Sequence, residues 1–226
     1  MGGVPLRLIL IANIIICICA FIGFTYGMIK FFKPKKAVYA QMIALAVGCV
    51  AFGRLYQVVR LVTGGDMFNG FQLGIFGVIG SLLFLFSANF GTMDSLADDR
   101  SKKFIKYRII AFAAPVVALI LYILFIFFTD LPRSVKVASA LVTVFVMQAS
   151  YFHLKHLIFP DVDFGVIKCL KPYNLLALIY TFLCLAEMIV IGLGNEIGIL
   201  IAGVLIGAVQ IGVVISVEKG MKKWIT

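Results

Sequence analysis

Long apolar runs separated by short polar segments dominate the whole chain. Seven of these runs are each close to the ~20 residues that an α-helix needs to cross a ~30 Å hydrocarbon core. They predict helices at 8–30, 38–63, 70–93, 106–129, 135–158, 172–194 and 197–217. The predicted fold is an all-α integral membrane protein, in which residues 1–226 form a single seven-transmembrane-helix bundle. Its short loops make neighbouring helices antiparallel.

Composition supports the same prediction. Of the 226 residues, 63% are hydrophobic and 13% are charged, and the mean hydropathy is +1.12. A surface in contact with water does not tolerate such values. The seven runs also leave no stretch long enough for a separate soluble domain.

Basic residues are divided unevenly between the two sets of loops. Of the 20 Lys and Arg residues, fifteen lie in or beside the loops 1–2, 3–4 and 5–6 and the C-terminal tail. The opposite side carries only Arg7, Arg133 and Lys136. The positive-inside rule then predicts an outer N-terminus and a cytoplasmic C-terminus, and we expect the plasma membrane. The net charge of +10 indicates anionic lipid headgroups, and not nucleic acid, as the partner of these loops.

Helix 2 carries two arginines within its apolar run, in the sequence FGRLYQVVR. A charge at the bilayer centre costs at least ~2.5 kcal/mol, so such residues are usually paired and functional. Arg54, Gln57 and Arg60 recur every three residues and therefore share one face of the helix. Glu187 in helix 6 is the one acid placed inside a predicted span, at a depth similar to that of Arg54. We therefore expect an Arg54–Glu187 ion pair.

This polar face has two interpretations. In the first, the ion pair only fixes the register of two helices, and Arg60 reaches the outer interface. In the second, Arg54, Gln57, Arg60 and Glu187 line an outward-facing pocket that binds a small anionic or amphipathic ligand. We predict the second and name these four residues as candidate ligand-binding residues.

Two further polar groups lie near the inner helix ends. Asp94 and Asp98 are one helical turn apart, a spacing that can share a divalent ion. No second acidic motif accompanies them, so we expect a solvated helix end whose carboxylates pair with nearby basic residues, namely Arg100, Lys102, Lys103 and Lys106. His153 and His156 have metal-ligand spacing but no further ligands in sequence. We expect this pair to face lipid headgroups, and we predict no metal site.

Motifs of hydrolase, nucleotide-binding and metalloprotease chemistry are missing from the sequence, so catalytic residues and cofactors are not predicted. The five cysteines lie inside predicted spans or at their inner ends, and we interpret them as small apolar residues without disulfides. They are Cys17, Cys19, Cys49, Cys169 and Cys184.

Small residues and prolines predict how the helices pack. Glycines one turn apart in helices 1, 3 and 7 allow close approach of two backbones, within the bundle or in a homo-oligomer. They are Gly23, Gly27, Gly74, Gly77, Gly80, Gly203 and Gly207. Pro115 lies inside helix 4 and is expected to kink it, whereas Pro172 is expected to open helix 6.

The leading functional prediction is a sensor or receptor that binds its ligand from outside. Its output would pass through the basic inner loops to a cytoplasmic partner protein or a second copy of the chain. A small-solute transporter is the main alternative, ahead of a lipid-modifying membrane enzyme and of a structural subunit. Few other polar residues lie within the spans, which argues against a continuous hydrated path.

Overall fold

The computed structural model describes residues 6–33, 37–65, 73–90, 94, 98, 100–160 and 166–225, and all regular structure among them is helical. The fourth helix, α4, is a 3₁₀ turn at Lys102–Phe104 followed by two α-helical segments, Ile105–Ala111 and Ala113–Phe128. The other helices are α1 (Leu6–Phe31), α2 (Val38–Val62), α3 (Leu73–Ala88), α5 (Arg133–Ile158), α6 (Val166–Gly192) and α7 (Glu196–Ile225).

The described helices form a membrane-type bundle. Six of them, all except α3, are long and apolar enough to cross a membrane. The third, α3, has 16 residues, or about 24 Å at the helical rise of ~1.5 Å per residue. The prediction for this helix was 70–93, and its first and last three residues lie outside the described part of the chain.

Six helices form a closed ring in the order α1, α2, α3, α5, α6 and α7, with α7 packed against α1. The fourth helix lies outside this ring and packs mainly on α5. Its free faces carry large exposed apolar side chains, among them Ile109, Phe112, Ile120 and Phe127. Such a surface suits contact with lipid, where apolar exposure carries no hydrophobic penalty.

Glycines bring the ring helices into backbone contact, as their spacing predicts. A Cβ atom on Gly77 in α3 would lie 2.7 Å from both the Gly53 Cα and the Cys49 carbonyl oxygen in α2. On Gly203 in α7, it would lie 2.8 Å from the Ala12 Cβ in α1. These small residues therefore pack within the bundle, which is the first of the two predicted uses.

Three helices differ from their predicted boundaries. Helix α6 begins at Val166, so Pro172 lies inside it and the prediction that this proline opens the helix is wrong. Helix α7 continues to Ile225, eight residues beyond its apolar run, because its polar C-terminal end remains helical. In α4, the regular α-helix is interrupted at Phe112, three residues before Pro115. A proline ring clashes with the carbonyl group four residues earlier, which accounts for an interruption there.

Candidate functional site

The ion pair between Arg54 and Glu187 is present and deeply buried. The Arg54 Nη2 atom donates to the Glu187 carboxylate, and the two side chains are only 5% and 9% exposed. Arg54 lies on α2, which α1 and α3 flank in the ring, whereas Glu187 lies on α6, between α5 and α7. The pair therefore bridges the interior of the bundle. The predicted polar face of α2 points into protein at Arg54.

Two amide side chains complete the contacts of the guanidinium. The Arg54 Nη1 atom donates to the Asn13 Oδ1 atom at 2.9 Å and to the Gln57 Oε1 atom at 3.2 Å. Gly74 on α3 makes room for this arrangement, since a Cβ atom there would lie 2.3 Å from the Gln57 Nε2 atom. The Arg54 Nε atom is buried and has no hydrogen-bond partner among the described residues. It remains a donor that a further polar group can use.

A cavity of about 100 Å³ lies against this ion pair, at the end of the bundle where α2 and α6 end and α5 begins. Its polar side is formed by Arg54, Gln57 and Glu187. Most of the remaining wall is apolar, with contributions from α3, α4, α5 and α6. Representative apolar wall residues are Ile75, Val78, Phe125, Val142, Met188 and Ile191. Apolar walls with a few convergent polar groups are typical of small-molecule sites.

The size and charge of the cavity restrict what it can hold. An apolar cavity of about 150 Å³ holds one benzene molecule, so this cavity fits a ligand of only a few heavy atoms or a few water molecules. Glu187 compensates the charge of Arg54, and the site is electrically neutral. A neutral site does not favour an anion over an uncharged molecule with one polar end.

The predicted site residues divide into two groups. Arg54, Gln57 and Glu187 meet at the cavity, whereas Arg60 does not line it. Arg60 lies two turns farther along α2, where its side chain packs close to Gly65. The prediction that Arg60 binds the ligand therefore has no support from this cavity. The expectation of an anionic ligand depended on a second arginine whose charge is not compensated. Because Arg60 does not line the cavity, this cavity does not support that expectation.

A tightly packed layer separates the cavity from the opposite end of the bundle. On α3, α5 and α6, the next one to two turns carry Leu82, Val146, Ala177 and Tyr180, each no more than 2% exposed. These side chains form a closely packed layer on this side of the cavity.

Beyond the packed layer lies a second buried polar cluster, which joins α5 and α6 to the residue that follows α3. The Asn89 Nδ2 atom lies 2.7 Å from the His153 Nδ1 atom and donates to the Asn174 Oδ1 atom at 3.0 Å. His153 is 0% exposed and His156 is 1% exposed. The expectation that these histidines face lipid headgroups is therefore wrong. In the bundle, both histidine side chains of α5 point towards neighbouring helices.

Asp94 and Asp98 join α4 and α5 at the same end of the bundle. The Lys155 Nζ atom lies 2.5 Å from the Asp94 Oδ1 atom and 2.7 Å from the Asp98 Oδ2 atom. Arg108 donates to both oxygens of Asp98, at 2.6 and 2.7 Å. The Arg108 hydrogen bonds, reinforced by Lys155, hold the pKa of Asp98 well below its usual range.

These contacts correct the predicted partners of the two aspartates. Arg100, Lys102, Lys103 and Lys106 were expected as partners, yet Lys155 on α5 and Arg108 on α4 form the ion pairs. Burial acts to raise the pKa of Asp94, but its hydrogen bonds to His156 and Lys155 prevail and lower it. The carboxylates therefore form a network of ion pairs instead of a solvated helix end. Within the described residues, no group of three or more His, Cys, Asp or Glu side chains is arranged to hold a metal ion.

Comparison of the chain with protein-family models, with curated proteins and with solved structures found no match.

The structure adds Asn13, Gly74 and Ser139 to the residues that define the site at the Arg54–Glu187 ion pair. Asn13 is a polar residue inside the apolar run of helix 1, and that position was the available signal for it. Nothing in the sequence pairs it with Arg54, because its register against α2 depends on how α1 packs. Ser139 lines the cavity, but its hydroxyl also bonds the Lys136 carbonyl oxygen at 2.8 Å, as serines in helices commonly do.

Breaking the ion pair one residue at a time should destabilise the protein more than removing it whole. Arg54→Met or Glu187→Leu leaves one buried charge without its counter-charge, and we expect each to lower the unfolding free energy by ~3–5 kcal/mol. The double variant removes both charges and should recover most of that loss. Unfolding of the purified protein in detergent measures all three. An Arg54→Met variant as stable as the native protein would contradict the structural role of the pair.

Proposed function

We propose that the chain crosses the membrane seven times, with its N-terminus outside, and binds a small amphipathic molecule in the outer cavity as a sensor or receptor. The observation that carries the proposal is a compensated ion pair at one wall of an otherwise apolar cavity. Buried charges within a membrane protein are costly and usually serve a function. Here the two charges sit where a ligand can reach them.

The contacts of α3 support the seventh crossing despite its short length. Near its start, Gly74 touches Gln57, which lies close to the end of α2. Just beyond its last residue, Asn89 touches His153, which lies near the end of α5. Since α2 and α5 run in opposite directions in the proposed topology, these contacts lie at opposite ends of the bundle. Helix α3 then extends most of the way across.

Orientation can be measured by labelling single cysteines. In a variant whose native cysteines are replaced by serine, Asp130→Cys should react with a membrane-impermeant maleimide in intact cells. Lys102→Cys should react only after permeabilisation, because the basic ends are expected inside. Both positions are exposed, so the two variants are matched in access. The reverse pattern would overturn the orientation and leave the fold unchanged.

The proposed ligand is a short uncharged molecule with one polar end. Its polar end would lie beside Arg54 and Gln57, where the Arg54 Nε atom is unpaired. Its apolar part would contact Val78 and Val142 across the cavity. The binding free energy would come from apolar contact, with orientation set by the hydrogen bonds.

Filling the cavity should abolish binding of such a ligand, and 1-butanol is a suitable probe. We expect 1-butanol to raise the unfolding temperature of the native protein, since a ligand that binds only the folded state stabilises it. Val142→Phe places a larger side chain in the cavity and should remove the shift. Val144→Phe is the matched control, because Val142 is 3% exposed and Val144 is 48% exposed on the same helix.

Butyrate has the same carbon chain with a negative charge and should produce a smaller shift than 1-butanol. Equal shifts by 1-butanol in the native protein and Val142→Phe would refute binding in this cavity. A larger shift in unfolding temperature with butyrate than with 1-butanol would favour an anionic ligand.

The receptor is preferred over the transporter because of the packed layer beneath the cavity. A receptor needs a binding site open to one side, and the buried side chains of Leu82, Val146 and Tyr180 on the other side support this proposal. Its output would pass along α3, α5 and α6 to their inner ends. These helices connect the cavity with the second buried polar cluster. A cytoplasmic protein or a second copy of this chain is the proposed recipient.

One observation favours transport as the second candidate function. At the end opposite the cavity, Lys155 on α5 contacts two carboxylates that lie between α3 and α4 in the chain, Asp94 and Asp98. Such a contact can exchange partners, and it would then act as an inner gate in an alternating-access cycle.

Native Cys184 distinguishes the two candidates because it lines the cavity. With the other four cysteines replaced by serine, a thiol reagent supplied only to the inner side should leave Cys184 unmodified if the protein is a receptor. Modification from the inner side, at a rate that a bound ligand changes, would establish an inward-open state and favour transport. Reagent supplied in detergent to the same variant provides the control for intrinsic reactivity.

A further inference from the structure

A groove of about 460 Å³ runs between the N-terminal part of α6 and the C-terminal part of α7, at the end opposite the ligand cavity. Helix α6 contributes Cys169 and Pro172. Residues one turn apart on α7, from Gly212 through Ser216 to Gly220, form the other wall. At Gly220 the backbones touch, because a Cβ atom there would lie 2.5 Å from the Cys169 carbonyl oxygen. The glycines leave a depression above this contact.

Three lysines of α7 border the groove, namely Lys219, Lys222 and Lys223, and all three are exposed. Lys222 pairs with Glu218 at 2.9 Å, so its charge is partly compensated. Lys168 and Lys171 of α6 adjoin the groove residues Cys169 and Pro172 in the chain. The mouth of the groove is therefore strongly basic, whereas Ile215 and Gly212 make its deeper part apolar.

The length of α7 places the basic part at the headgroup level. Its 30 residues extend about 45 Å, whereas the hydrocarbon core is ~30 Å thick. The apolar run predicted for this helix ends at residue 217. Lys219 and Lys223 then lie just beyond the hydrocarbon, beside the phosphate groups of one leaflet. This position does not depend on which side of the membrane the leaflet belongs to.

We propose that this groove binds one anionic phospholipid, with its phosphate at Lys219 and Lys223 and an acyl chain along Ile215 and Gly212. Basic pockets between transmembrane helices at a headgroup level bind acidic lipids for this reason. The basic mouth of the groove matches the phospholipid headgroup, and its deeper apolar part matches an acyl chain. The site is separate from the ligand cavity, and its proposal is independent of the receptor function.

The test measures lipid binding to the purified full chain by native mass spectrometry, with phosphatidylglycerol and phosphatidylcholine of identical acyl chains. We expect one tightly bound phosphatidylglycerol, and weaker binding of phosphatidylcholine. Each cationic side chain near a charged surface strengthens binding about fivefold. Lys219→Gln with Lys223→Gln should therefore weaken phosphatidylglycerol binding by more than about tenfold.

Two further variants separate a built site from general attraction. Lys33→Gln with Lys102→Gln removes the same charge from exposed positions at the same end of the bundle and should leave the tight site intact. Ser216→Leu fills the groove without changing charge and should also weaken phosphatidylglycerol binding. An equal loss in both lysine pairs would overturn the proposal in favour of diffuse surface attraction. So would equal binding of the two lipids, or unchanged binding by a folded Ser216→Leu variant.

Discussion

Hydrocarbon offers no partner to a charged side chain, so a charge inside the bundle has to be compensated by the protein. The Arg54–Glu187 ion pair meets this requirement, and the geometry of its half of the bundle follows from it. The pair holds α2 and α6 at a fixed distance across the interior. Apolar side chains of α3 and α5 do not fill the space beside it, and that space is the cavity. The need to compensate one buried charge therefore accounts both for the contact between α2 and α6 and for the cavity beside it.

Buried charged groups occupy two separate depths, and each level is close to electrical neutrality. Beside the cavity one arginine faces one glutamate, while at the opposite end of the bundle Lys155 and Arg108 face Asp94 and Asp98. Between them lies a layer of buried side chains that is mainly apolar but also contains Ser81 and Thr181.

Much of the fold follows from the apolar runs, because a bilayer sets helix length and excludes other backbone structure. The same reasoning identified Arg54 and Glu187, since a charge inside a span needs a partner at similar depth. The spacing of Gly77 correctly indicated a helix contact. Those inferences required only position along the sequence and the properties of the solvent.

The remainder depended on the order of helices around the ring, which apolar runs do not specify. Asn13 became a partner of Arg54 because α1 lies beside α2. His153 became buried because α5 lies between α3 and α6 in the ring, with α4 on its outer side. Lys155 was a better partner for Asp94 than its sequence neighbours because it comes from a facing helix. These misses share one cause, because each contact depends on which helices lie side by side.

The two residues of the ion pair are 133 positions apart in the chain. At a synthesis rate of ~5–20 residues per second, Arg54 is made about 7–27 s before Glu187. Throughout that interval the growing protein holds a charged helix without its counter-charge. Asn13 is already present, and its amide oxygen supplies an early acceptor for the guanidinium. The nascent chain thus carries an interim partner for Arg54 on its first helix. Insertion of the second helix then depends on the order in which these partners are synthesised as well as on hydropathy.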